Sequence, residues 1–297
     1  VNILLSGSTG LIGSALTSHL TAQGHTVYPL HRNRSKKHLH YWLPEEDLIH
    51  IDEDIPLHAV IHLAGENIAD GRWSDARKAA ILNSRVHGTR LLAETISSLK
   101  HKPSIFISGS AIGYYGDTSD KPVDESNDRG DGFLSDVASQ WELATQAVVD
   151  ADIRTILLRT GVVISNEGGV LKKMLLPFTL GAGGIIGNGR QYMSWVSMHD
   201  LTQIITLMLN NTEMSGPYNL VAPEPVTNRT FTRALGKVLR RPTLLPMPAF
   251  MVRLLFGEMG DALLLASSRV MPARLTAAGY DFDDKTIEQA LKRALKR

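Results

Sequence analysis

The first 110 residues alternate short apolar runs with longer stretches of helical spacing. Residues 1–6 form an apolar run of strand length. Residues 11–23 follow with helical character and stop at Gly24, a residue suited to the position just past a helix end. Residues 25–30, 59–64 and 104–108 predict further strands. Between the last two, residues 75–98 predict a long helix with Ala79, Leu82, Val86, Leu91 and Leu92 on its apolar side. Strands that are apolar on both faces and alternate with helices indicate an α/β fold whose parallel sheet is covered on both sides.

After Gly109 the loops lengthen. Residues 113–134 are rich in Gly, Asp and Ser and predict surface or lid. Residues 135–150, 171–180 and 200–209 predict helices; residues 155–158, ending at Arg159, and 217–221 predict strands. Residues 181–189 hold five glycines in nine positions and predict a loop. From Pro223 onward, proline turns separate short helices. These changes divide the chain into a nucleotide-binding domain, residues 1–167 and 199–222, and a smaller C-terminal lobe, residues 168–198 and 223–297, with interleaved connectivity. Residues 285–296 place Ile287, Ala290, Leu291 and Leu295 on one side and basic residues on the other, so this helix is expected to pack on the body.

The seven-residue stretch Gly7-Ser8-Thr9-Gly10-Leu11-Ile12-Gly13 sits between a strand and a helix, the context that gives a glycine pattern meaning. Gly7 permits a tight turn, Gly10 lets backbone N–H groups approach a diphosphate, and Gly13 allows close helix–strand contact. The chain is therefore expected to carry a doubly wound parallel Rossmann sheet that binds a nicotinamide dinucleotide. NAD binders place Asp or Glu at the end of the second strand, whereas His31 and Arg32 stand there, with Arg34, Lys36 and Lys37 behind; the first acidic residue is Glu45. Arg32 suits the 2′-phosphate of NADP(H), because guanidinium can form paired bonds to phosphate oxygens.

Composition narrows the function. A net charge of +1 gives no whole-chain field for nucleic acid or a membrane surface. The chain has no cysteine, which removes thiolate catalysis and zinc–thiolate sites and fits a reducing, cytoplasmic setting. The opening run of residues 1–5 is short for a secretory signal, and the long apolar stretch 248–266 is broken by Arg253, Glu258 and Asp261. No metal-ligand spacing stands out, and a small-molecule substrate is expected.

Three motifs together resemble the extended short-chain dehydrogenase/reductases: the glycine loop, His62-Leu63-Ala64-Gly65, and Ser108-Gly109-Ser110-Ala111-Ile112-Gly113-Tyr114-Tyr115-Gly116. More narrowly, Leu63 to Ile68, Gly113 to Gly116, and Phe133-Leu134 through Trp141-Glu142 resemble the atypical epimerase-family branch, which is nucleoside-diphosphate-sugar epimerase-like. Pro272-Ala273-Arg274-Leu275 and Gly279-Tyr280-Asp281-Phe282 match its C-terminal domain of unknown function. The resemblance implies that Leu63, Ala64 and Gly65 lie along the adenosine and ribose. It also implies that Arg85 reaches the cofactor phosphates, that Ser108 and Gly109 lie near the nicotinamide, and that Gly161, Val162 and Val163 approach it through backbone groups. A homodimer through residues 75–98 and 135–150 is implied as well.

The chain departs from that pattern at the acid–base pair. Those enzymes use Tyr-x-x-x-Lys, with a Glu four residues after the Lys. Anchoring on Glu142 places Ala138 at the Lys position and Leu134 at the Tyr position, and the pattern occurs nowhere in the chain. Ser110 best matches the family's catalytic Ser/Thr. Tyr114 or Tyr115 can supply a phenol, and Glu66 an acid or base unless it pairs with Arg85; Asn67 and Arg72 can orient a polar substrate. His62 reads as a core histidine, Asp200 as the N-cap of the helix that follows it, and Trp141 and Trp195 as core or pocket wall. Two functions remain: an NADP(H)-dependent epimerase-like or oxidoreductase-like enzyme for a small polar or nucleotide-linked substrate, and a catalytically silent NADP(H)-dependent sensor.

Overall fold

The structure is a computed structural model that describes residues 1–35 and 37–297; Lys36, one of the basic residues behind Arg32, lies outside the described residues. Its centre is a six-stranded parallel sheet: β1 (Asn2–Ser6), β2 (Thr26–Leu30), β3 (Ala59–His62), β4 (Ile105–Ala111), β5 (Arg154–Thr160) and β6 (Gly216–Leu220), in the order β6-β5-β4-β3-β1-β2. Alternate side chains of each strand enter opposite cores, as a two-residue period requires. Ile3, Leu5, Ile61, Ile107 and Ile156 pack against Leu16 and Leu20 of α1 (Leu11–Ala22). Leu4, Val60 and Phe106 pack instead against Leu92, Ala93 and Ile96 of α2 (Asp75–Ser98). The strand order turns round beside β1, which opens a crevice at the carboxyl edge, where sheets of this kind bind ligands.

Several sequence expectations need correction. The buried side of α2 carries Ile81, Gly88, Leu92 and Ile96, while Ala79 is exposed. The reason is a hairpin that periodicity missed, Tyr41–Leu43 with Leu48–His50, whose buried Trp42 lies over Gly88. The expected helix 135–150 is two helices, α3 (Phe133–Leu143) and α4 (Gln146–Asp150). Between them the Thr145 hydroxyl donates to the Glu142 carbonyl, offering the backbone an alternative partner. The polar stretch 113–134 is strapped down, with Thr118 N–H donating to the Ser267 carbonyl and Val123 N–H to that of Arg269.

A second hydrophobic core lies apart from those of the sheet. Leu171 and Phe178 of α5 (Gly169–Thr179) meet Trp195 and, from α7 (Asn228–Leu239), Phe231, Leu235 and Leu239, together with Ile287 and Leu291 of the terminal helix Ile287–Ala294. That last helix begins with a capping box, Thr286 and Gln289 satisfying each other's backbone N–H groups. Between α5 and α7 the chain crosses back to the sheet as α6 (Met198–Asn210). Its N-cap is Ser197, not Asp200: the Ser197 hydroxyl accepts the Asp200 N–H. Asp200 is reserved for the returning C-terminal chain, its buried carboxylate accepting from the Tyr280 hydroxyl and the Asp283 and Asp284 N–H groups. No helix among the described residues is long and apolar enough to cross a membrane.

Candidate functional site

The glycine loop turns at Gly7, whose φ of +71° is the left-handed region that favours glycine. A methyl group added there would stand 2.9 Å from the Leu63 carbonyl carbon and the Ala64 nitrogen, so the turn lies directly against the chain leaving β3. A methyl added at Gly13 would collide with the Gly7 carbonyl. Gly10 donates to that carbonyl at 3.0 Å and sits at the N-cap of α1, where no side chain caps the first turn. The loop is thus a backbone cradle in front of a helix N-terminus, which suits a diphosphate by its N–H donors and its partial positive charge. Leu63 and Ala64 thus back the turn itself, and Gly65 next to them lies against the Arg85 side chain.

At the far end of β2, Arg32 is more than half exposed and meets Glu45 at 3.3 Å. Arg85 does not stand free. Its guanidinium donates to the carbonyls of Ile81 and Glu66 and lies over the Trp141 ring, 5.1 Å from its centroid. Burial lowers its pKa from the ordinary arginine value to about 10. The Glu66 carboxylate pairs with Arg77 at 3.0 Å rather than with Arg85. Asn67 closes its own turn by accepting the Ala69 N–H, and Arg72 packs beside Gly257 of the smaller lobe.

The second half of the site lies on β4 and β5, where Ser110 and Arg159 stand opposite each other in register. Ser110 is buried and donates to the Glu142 carboxylate at 2.7 Å. Arg159 clasps that carboxylate with two bonds of 2.8 Å, Nε to Oε1 and Nη2 to Oε2. Its remaining arm donates to the Tyr115 hydroxyl, which in turn donates to Asn219. Burial disfavours the Arg159 charge, but the hydrogen bonds and attraction of Glu142 more than offset it, so the pKa rises above the ordinary arginine value. Burial pushes the Tyr115 phenol up to about 12. The half-buried Tyr114 ring lies face-on under the same guanidinium, 3.5 Å from its centroid. Gly109 is required between these residues, because a methyl there would meet the Trp141 ring at 2.8 Å.

The structure therefore brings Ser110, Tyr114 and Tyr115 together around the Glu142–Arg159 pair and leaves Glu66 on a different loop. At the two positions where the Tyr and Lys are missing, Leu134 abuts Gly113 and Ala138 is buried. Ser108 is buried and donates to the Gly109 carbonyl; the Gly161 and Val162 N–H groups already serve the Leu220 and Ser194 carbonyls. Sequence reasoning gave no role to Glu142, Arg159 or Asn219. One signal was available: an arginine closing an apolar strand needs an acidic partner once it is buried. His62 is a satisfied core residue, bonded to Ser6 at 2.6 Å and Thr89 at 3.0 Å. Trp195 is wholly buried and donates to the Glu224 carbonyl.

Known proteins carry the same arrangement of sequence and fold. Residues 3–221 match the model of the NAD dependent epimerase/dehydratase family, and residues 247–294 match a domain of unknown function, DUF1731. The chain is 41% identical to the epimerase family protein Mb2239 of Mycobacterium bovis, an alignment covering 99% of this chain and 98% of that protein. It is 38% identical to the epimerase family protein YfhF of Bacillus subtilis, over 99% and 98% respectively. The human epimerase family protein SDR39U1, whose crystal structure was solved with NADPH, superimposes with a TM-score of 0.91 at 33% identity and full coverage of both chains.

Proposed function

Because the chain belongs to the NAD-dependent epimerase/dehydratase family, we propose that it binds NADP(H) and acts as an oxidoreductase or epimerase on a carbinol or carbonyl centre of a small polar or nucleotide-linked substrate. The cradle at Gly7, Gly10 and Gly13 suits the dinucleotide, since a side chain at Gly7 or Gly13 would strike neighbouring backbone and break the turn. Arg32 favours the phosphorylated form. The NADPH held by the human relative supports the same choice.

When bound, such a cofactor supplies the carbon that gives or takes hydride. This chain's residues handle the substrate oxygen and its proton. With its proton on Glu142, Ser110 meets a substrate as an acceptor, a geometry suited to the O–H of a carbinol. A carbonyl oxygen would require Ser110 to turn away from Glu142. Tyr115 is committed to Arg159 and Asn219, which leaves Tyr114 as the phenol to deliver or receive the proton.

The observation that carries this reading is the buried Ser110–Glu142–Arg159 cluster. A buried ion pair stabilises a fold little compared with apolar packing, so its position beneath Ser110 favours a chemical role. Ser110→Ala should leave NADPH binding intact and lower turnover by roughly 100-fold; unchanged turnover would remove Ser110 from the mechanism. Leu134 and Ala138 favour the second reading, a silent sensor. In that case NADPH fluorescence stays constant against a panel of carbonyl compounds and nucleotide sugars, while cofactor binding changes association with another protein.

A further inference from the structure

Ser110, Arg159 and Asn219 are register partners on β4, β5 and β6, so their side chains leave the sheet on one face as a single rung. Each is at most 5% exposed, and so is Tyr115 beside them. The rung continues past Asn219. Its Nδ2 donates to the Met271 carbonyl at 2.9 Å, while its Oδ1 accepts the Tyr115 hydroxyl at 2.8 Å. Its backbone N–H donates to Glu125 Oε1 at 2.9 Å, and Glu125 Oε2 accepts the Arg274 N–H at 3.3 Å. Met271 and Arg274 both belong to residues 247–294, the domain of unknown function. That segment therefore holds Asn219 by its side chain and, through Glu125, by its backbone.

The direction of every bond along the rung is dictated from its ends. The Met271 carbonyl only accepts, so the Asn219 amide turns its NH2 toward it and its oxygen toward Tyr115. The Arg159 guanidinium only donates, so the Tyr115 oxygen accepts from Nη1 and sends its own hydrogen to Asn219. Reversing the amide would set oxygen against oxygen at Met271 and leave the buried Tyr115 hydrogen without an acceptor. With Nη1 taken by Tyr115, Arg159 reaches Glu142 through Nε and Nη2. Glu142 Oε1 takes the Ser110 hydrogen as well, and Ser110 is left with lone pairs alone.

We infer that Asn219 is a positioning residue: pinned by the Met271 carbonyl, it fixes the hydrogen-bond direction through Tyr115, Arg159 and Glu142, so that Ser110 meets the substrate only as an acceptor. The inference rests on the catalytic reading of Ser110 above. It also gives the domain of unknown function a part in the site, exerted through two backbone groups, the Met271 carbonyl and the Arg274 N–H. Removing the Asn219 amide takes the acceptor from Tyr115. The phenol hydrogen then competes for the Arg159–Glu142 contact, and Ser110 is no longer confined to one direction.

The test compares the full chain with Asn219→Leu, made alone and together with Ser110→Ala. The probe is the member of the panel of carbonyl compounds and nucleotide sugars that the native chain turns over fastest with NADPH. Asn219→Leu should bind NADPH as the native chain does, which shows that it is folded, and lose about tenfold in kcat/KM. Added to Ser110→Ala it should lose nothing further, because its effect passes through Ser110; a residue that only supports the fold costs the same in both backgrounds. Asn219→Asp, which keeps an oxygen for Tyr115, should recover most of the loss. A second readout needs no turnover: the NMR signal of the Arg159 Nε–H, assigned by its absence in Arg159→Lys, should move in Asn219→Leu. Should Asn219→Leu fail to fold, Tyr115→Phe breaks the same link and must give the same two results. Equal losses in the two backgrounds, or an unmoved Arg159 signal, would overturn the inference and leave the reading of Ser110 standing. Turnover of no probe by the native chain, or full turnover by Ser110→Ala, would overturn both.

Discussion

Buried on β3, His62 holds Ser6 with one ring nitrogen and Thr89 with the other, and burial lowers its pKa to about 4. An unfolded chain takes up this proton near the ordinary imidazole value of 6.5, so acidification between the two values favours the unfolded state. Stability is expected to fall by about 3 kcal/mol from this residue alone as pH drops from 6.5 to 4. Urea titrations at several pH values in that window should show a steep dependence in the native chain and a shallower one in His62→Gln. Loss of the two hydrogen bonds shifts the variant's stability at every pH and does not imitate a slope. The same scale explains which part of the site could be read early. Gly7 and Gly13 announce themselves because their constraints are local: a left-handed turn and a collision with a neighbour a few residues away.

On α6 the consequences concern how elements are joined. Ser197 caps the helix, and Asp200 in its first turn ties down the chain from Tyr280 to Asp284. The Tyr280 phenol is correspondingly raised above its ordinary value, first by burial and then by Asp200. Asp200→Ala strands two backbone N–H groups and the Ser197 hydroxyl, and should cost about 3–5 kcal/mol. Tyr280→Phe removes one bond and should cost about 1 kcal/mol. Denaturant melts of the two variants give the ranking; equal losses would show that Asp200 acts only as a helix-end charge. Element types were legible from periodicity, because each strand and helix carries its own pattern. The hairpin at Trp42 and the break at Thr145 were not, since one depends on packing over Gly88 and the other on a side chain returning to the backbone. The Ser110 cluster was illegible for a different reason. Its members lie on β4, α3, β5 and β6, and no spacing along the chain records that Ser110, Glu142, Arg159 and Asn219 converge.

At the scale of the whole molecule, the last residues belong to both cores. Phe282 belongs to the core that holds Ile3 and Leu5 of the sheet, whereas Ile287 and Leu291 belong to the one that holds Trp195 and Phe231. Burying a Phe, Ile or Leu side chain contributes roughly 1.5–3 kcal/mol, so these three together rival the roughly 5–15 kcal/mol net stability of a domain. A chain ended after Ala278 should therefore lose its cooperative thermal transition and bind a hydrophobic dye. A sharp melt within a few degrees of the full chain would show that the terminal segment is an appendage. Distant parts of the chain are also joined by Lys78 with Glu258, at 2.7 Å, and by Lys173 with Asp70, at 3.6 Å. Both pairs are partly exposed, so each adds little to stability.

The place of Phe282 in the core that holds Ile3 also sets a timetable for biosynthesis. A ribosome adds about 5–20 residues per second, so the first strand waits on the order of 15–60 s for the last aromatic ring of its core. Throughout that interval Ile3, Leu5 and their neighbours stay incompletely shielded on the nascent polypeptide. Shielding by a chaperone is most valuable to this protein late in translation, after the glycine loop has formed and before the tail arrives.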